Sequence, residues 1–318
     1  MDRRRRRSGA LALAACLGVG AAALAEGPLP LRAVGWTNPK ADVAAVLTTE
    51  PTECYAPTDA LRAPAEIGRA AFRTPVLLGG QAARAGLSCE SCHRGGRGNP
   101  EFLFPGVSGA PGTADVTSSL FSSHRGNGRD DPVPIPDLSG ERARLKVAPQ
   151  SLEAFIHGLV VEEFDGREPA PAVLTGLADY VRSLQPQACP PSATRPVSVS
   201  GLLDDVDRAT AAAVSAPDEA TRLLMIAGAR ARLGLIDERF AGPAFAAERH
   251  ALRAADAELA AIAGAVRSRR PEARQRLAAW RERLSPLGLQ LGRREGQSLF
   301  DPKTLRTAVE GRLPEGAS

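Results

Sequence analysis

The amino-acid sequence predicts an all-α chain with long loops, closing in a helical hairpin or bundle. Three observations lead there. In PAPAVLTGLADYVRSLQP, Val173, Leu177, Tyr180, Val181 and Leu184 fall on one face at helical spacing. Farther on, Phe245, Leu252, Leu259 and Val266 recur every seven residues, with Ala255 and Ile262 between them, a seam that asks for a partner helix. No stretch reads as strand-rich, and none repeats. With 318 residues and 43% apolar content, the chain can bury a core, and its length suggests two domains.

Residues 1–25 have the layout of a secretory signal peptide: Arg3 to Arg7, an apolar run of small residues, then ALA before Glu26. Cleavage is expected after Ala25. A rival stays open, since LAAC at 13–16 resembles a lipoprotein signal that would leave Cys16 as a lipidated N-terminus. Against it, the residues after Cys16 remain apolar. The run is short and poor in large side chains for a retained anchor. A periplasmic chain is therefore expected, with Cys54, Cys89, Cys92 and Cys189 in an oxidising compartment. The formal charge of +4 comes from the same segment, because the rest of the chain holds basic and acidic residues in equal number. Nucleic-acid binding loses its electrostatic basis.

Residues 26–53 form a lead-in with one short helix, KADVAAVL. APAEIGRAAFRTP predicts a helix carrying Ile67 and Phe72 and ended by Pro75. LLGGQAARAGLSCESCH turns through two glycines and runs helically into its cysteines. Residues 95–140 are rich in glycine, proline, serine and aspartate and read as loop. A loop of that length inside a compact domain usually carries function. APQSLEAFIHGLVVEEF predicts a helix with Ser151 as N-cap. Residues 191–200 read as a Pro- and Ser-rich linker, and 201–318 as an α-helical region. There PEARQRLAAWRERL offers Leu277, Trp280 and Leu284, so an antiparallel hairpin packed on helices near 202–235 is expected.

The motif CESCH, Cys89 to His93, is the CxxCH signal for covalent c-type haem. Two cysteines about one helical turn apart can each form a thioether with one haem vinyl group. His93 then follows as the proximal ligand to iron. Two rivals are weaker. A structural zinc site needs two more ligands at short spacing, and no second CxxC or HxxxH exists. A thioredoxin-like dithiol needs a βαβ setting, which the sequence does not offer.

EIGRAAF, LSCESCH and LADYVRSL together resemble the cytochrome c domain. In that family a helix with GxxxF or a close variant crosses a C-terminal helix bearing an aromatic, and Gly68, Phe72 and Tyr180 match those positions. Glycine at such a crossing permits close approach. The spacing between Phe72 and Cys89 is similar to that in the haem domains of bacterial di-haem cytochrome c peroxidases. The resemblance covers residues 60–187 and implies a cytochrome c-like haem domain, here bounded at 54–190, with one haem c. Those peroxidases carry two haem motifs and this chain carries one, so their activity does not transfer.

Many such domains use methionine opposite the histidine. Met225 reads as helix core, and Met1 leaves with the signal peptide. His157 points away from the apolar face of its helix, and His250 reads as surface. His124, in the glycine-rich loop, is the candidate distal ligand, with an open site as the alternative. Arg94, Arg97, Arg125 and Arg129 are candidate partners for a haem propionate, or solvated surface. Cys54 and Cys189 bracket the domain and are expected to form a disulfide, which in the chain-entropy model contributes about 4–5 kcal/mol.

The functional expectation is an electron carrier working with a redox partner protein. The alternatives are a peroxidase-like enzyme using His124 as distal acid-base group, and a sensor or assembly subunit. The C-terminal helices are expected to dock a partner or dimerise, or to serve as a stabilising appendage.

Overall fold

A computed structural model describes residues 29–118, 120–124, 128–140 and 147–310. The expected signal peptide, with Cys16, and Arg125 lie outside them. The described chain is mostly helical. It also holds four strands of two or three residues, β1 (Thr49–Pro51), β2 (Thr113–Ala114), β3 (Val133–Pro134) and β4 (Thr194–Pro196). They form two antiparallel pairs, β1 with β4 and β2 with β3.

The lead-in is tied down. Its helix α1 (Val43–Thr48) starts at Asp42, whose side chain accepts from the Ala45 amide at 3.0 Å, satisfying one orphan N–H of the first turn. Leu31, Ala44 and Leu47 then bury against Leu299 and Leu305 near the other end of the chain. The expected linker is likewise structured: β4 pairs with β1, and Ser198 caps α7 (Val199–Ser215) through the Gly201 amide.

The motif is held by a crossing of two helices. The first, α2 (Asp59–Phe72), begins earlier than Pro64 suggests. Its partner α6 (Pro171–Ser183) starts with proline at its first position, where no N–H is needed. A Cβ added at Gly68 would lie 1.8 Å from the Gly176 carbonyl oxygen. The two backbones touch there because both residues lack side chains. One turn on, the Phe72 and Tyr180 rings lie 5.0 Å apart. Between these helices come α3 (Gly80–Arg84), α4 (Cys89–Cys92), the long loop with β2 and β3, and α5 (Leu152–Gly158). The expected helix at 151–163 divides into α5 and a π-helical turn, Leu159–Glu163, and Ser151 makes no side-chain cap.

The C-terminal region stacks α7, α8 (Glu219–Arg239), α9 (Ala246–Arg267), α10 (Ala273–Arg281), α11 (Leu284–Gly292) and α12 (Pro302–Glu310). The seven-residue seam is buried as expected, but its main partner is α8. The shorter α10 packs on both α7 and α9, and the Trp280 indole donates to the Ala255 carbonyl at 3.2 Å. One apolar core runs without a break from α2 and α6 into α7, α8 and α9. No described helix is long and apolar enough to cross a membrane.

Candidate haem-attachment site

Four residues make α4, and their order decides what they face. Ser88 precedes the helix, and its amide donates to the Ser91 hydroxyl at 3.0 Å. After His93, Gly95 and Gly96 take φ of 61° and 69°, turning the chain sharply out of the helix. Cys89, Cys92 and His93 line a common cavity of about 250 Å3. Phe72, Leu177 and Val181 wall it from the crossed helices, Phe155, Ile156, Leu159 and Val160 from α5 and the π turn, and Val133 to Pro136 from the loop. The walls are almost wholly apolar.

The His93 ring is oriented by backbone carbonyls. Its Nδ1 lies 3.1 Å from the Pro136 carbonyl and 3.3 Å from the Arg97 carbonyl. A donated Nδ1–H fixes the tautomer and leaves Nε2 with its lone pair, the arrangement that metal-ligating histidines use. Burial pushes the imidazole below the ordinary histidine value, against the two carbonyls, which raise it. The neutral, ligating form is thereby favoured. Arg97 and Asp137 form an ion pair at 3.1 Å that ties Pro136 to the chain after the motif.

Burial pushes both cysteine thiols up to about 12. That is opposite to the depressed value of a reactive dithiol. The thiols are not bonded to one another. Among the described residues no group of three or more histidine, cysteine or acidic side chains is placed to hold a metal ion by itself. An apolar cavity, two adjacent thiols and one oriented imidazole fit a covalently held haem. The residues that would hold it are Cys89, Cys92 and His93.

The second axial candidate is not brought to the cavity. His124 is 64% exposed, and its Nε2 lies 3.8 Å from Asp165. His157 meets Glu168 at 2.7 Å, His250 is exposed, and Met225 is buried in α8. Among the described residues that line the cavity, His93 is the one imidazole, and no methionine or lysine joins it. Of the arginines singled out, Arg94 bonds the Val46 and Thr49 carbonyls and Arg97 pairs with Asp137. Neither they nor Arg129 line this cavity. Cys54 and Cys189 are bonded to each other as expected, closing the ends of the domain.

Sequence reasoning missed an ionic cluster behind the motif. Arg73 is buried at the end of α2, 2.5 Å from Glu53, 3.5 Å from Glu90 and 3.6 Å from Asp205 of α7. The Tyr180 hydroxyl donates to Glu53 at 2.6 Å, and Arg69 pairs with the same carboxylate. Glu90 is the first residue between the two motif cysteines, so the motif is anchored through charge to both α2 and α7. These residues have no local spacing rule that could have joined them.

Comparison with known proteins finds no matching family model, no matching curated protein and no matching solved structure.

Proposed function

We propose that this chain is an exported mono-haem c-type cytochrome that carries electrons. The observation that carries the proposal is the cavity that gathers Cys89, Cys92 and an Nδ1-anchored His93 against apolar walls. Haem held there supplies one-electron chemistry. The protein's part is to bind it through two thioethers, orient the imidazole through Pro136, and keep water from most of its surface. Val133 and Phe155, 44% and 43% exposed, lie at the cavity wall and give it an apolar mouth suited to a redox partner protein. The Cys54–Cys189 disulfide and the signal-like N-terminus agree with a periplasmic setting, free or lipid-anchored through Cys16.

A peroxidase-like enzyme is the less supported reading, since no acid-base side chain other than His93 lines the cavity among the described residues. The test is a redox titration of the purified haem-loaded chain beside a peroxide turnover assay. A reversible one-electron wave with no peroxide turnover supports the carrier. Sustained peroxide turnover would assign the enzyme.

A further inference from the structure

A second cavity, of about 320 Å3, lies on the other side of α4. Glu90 and Ser91 face it, where Cys89, Cys92 and His93 face the first, and Ser88 touches both. Five arginines line it, and each is answered differently. Arg32 pairs with Glu238 at 2.6 Å. Arg73 is ringed by Glu53, Glu90 and Asp205. Arg94 bonds the carbonyls of Val46 and Thr49, at 2.9 and 2.8 Å, and no carboxylate among the described residues. Arg239 likewise bonds the carbonyls of Leu47 and Leu299, at 2.6 and 3.0 Å. Arg232, its side chain only 10% exposed, makes no hydrogen bond among the described residues. Its nearest carboxylate, Asp205 at 3.6 Å, is already shared with Arg73 and Arg208. The third acid of the wall, Glu50, is taken by Arg195 at 2.6 Å.

Among the described residues, three of these arginines thus face one cavity without a hydrogen-bonded carboxylate. Their charge is balanced only through space, Arg94 by Glu50 and Glu90, Arg239 by Glu238 and Glu50, and Arg232 by Asp205 and Glu90. Buried cations in native proteins are paired, because an uncompensated charge in a low-dielectric site is costly. Burial, with Arg94 as a second cause, holds Arg239 down to about 10. The rest of the wall is mixed: Thr37, Ser88, Ser91 and Asn99 join the three glutamates, and Val46, Leu47, Leu202 and Leu235 form an apolar stretch. We propose that this cavity binds a small organic carboxylate, its charged end on Arg232 and its hydrocarbon body against Leu47 and Leu235. A guanidinium with free N–H groups donates to a carboxylate in bidentate fashion, and the apolar stretch of wall favours an organic acid over an inorganic anion. The site stands apart from haem attachment and does not depend on it.

Hexanoate titrated calorimetrically into the full chain, at neutral pH and low salt, tests the site. Saturable one-to-one binding is expected, weakened at least tenfold by Arg232→Gln, with no saturable heat from inorganic phosphate or chloride. Arg232→Gln removes a cation 3.6 Å from the largely buried Asp205 carboxylate, so its unliganded melting temperature should fall, and binding is compared at a temperature where the variant is folded. Val76→Trp, at an exposed wall position, should weaken hexanoate binding while leaving every arginine in place, and it decides the matter if Arg232→Gln does not fold. No hexanoate binding, or affinity unchanged in the folded variants, overturns the proposal. Phosphate binding as tightly as hexanoate overturns the organic ligand.

Discussion

On one side of α4, Cys89 and Cys92 face a cavity of leucine, valine, phenylalanine and proline; on the other, Glu90 and Ser91 face arginines. Four consecutive residues wall two different spaces, one almost wholly apolar and one where charged groups sit beside apolar ones. On the first side burial acts on single groups, raising the thiols and pushing His93 below the ordinary histidine value. On the second side burial acts on a network, where each charge is tolerable only through the others. The contrast assigns two tasks to one motif. Its apolar face carries the two thiols, and its charged face fixes the helix to α2 and α7.

Replacing either kind of residue should break one side and spare the other. The largest effect is expected from Cys89→Ala with Cys92→Ala, which should abolish covalent haem, read by mass spectrometry of the denatured chain, while the charged side stays folded. Next comes Glu53→Gln, which leaves Arg73 buried with only distant partners. Urea unfolding at pH 7 should show a loss of about 3–5 kcal/mol. Burial raises the Glu53 carboxyl, but Arg73 and Arg69 more than reverse this and hold it below the usual carboxylate range. Its contribution is therefore full above about pH 4.3, the unfolded value, and is lost as pH falls through the depressed folded value. The gap between wild type and Glu53→Gln should accordingly narrow in acid. Gly68→Ala, which pushes a methyl group into the Gly176 carbonyl, should cost about 1–3 kcal/mol in the same assay and loosen the wall of the first cavity. His124→Ala should be the smallest, within about 0.5 kcal/mol, with no change in the haem absorption spectrum.

The parts of this architecture that follow local rules were legible in the sequence. Helical spacing exposed α6 and α9, the adjacency of Cys89, Cys92 and His93 exposed the candidate ligands, and the flanking positions of Cys54 and Cys189 exposed their pairing. The crossing of Gly68 on Gly176 was half legible, since Gly68 was matched and its glycine partner was not. What stayed hidden depends on contacts between distant segments. The Pro136 carbonyl is aimed at His93 by a loop of irregular backbone, the Arg73 cluster joins residues from Glu53 to Arg232, and the lead-in packs on Leu305. The glycines around His124 would let the loop bend over the cavity, yet the segment instead bonds Asp165 through Ser123.

The most direct test of the central claim is to mature the chain with periplasmic haem-attachment machinery, denature the product and record its mass and absorption spectrum. One haem retained per chain after denaturation, lost when Cys89 and Cys92 are replaced, is the predicted result. A chain that carries no covalent haem under those conditions, while folded and with both thiols free, would contradict it.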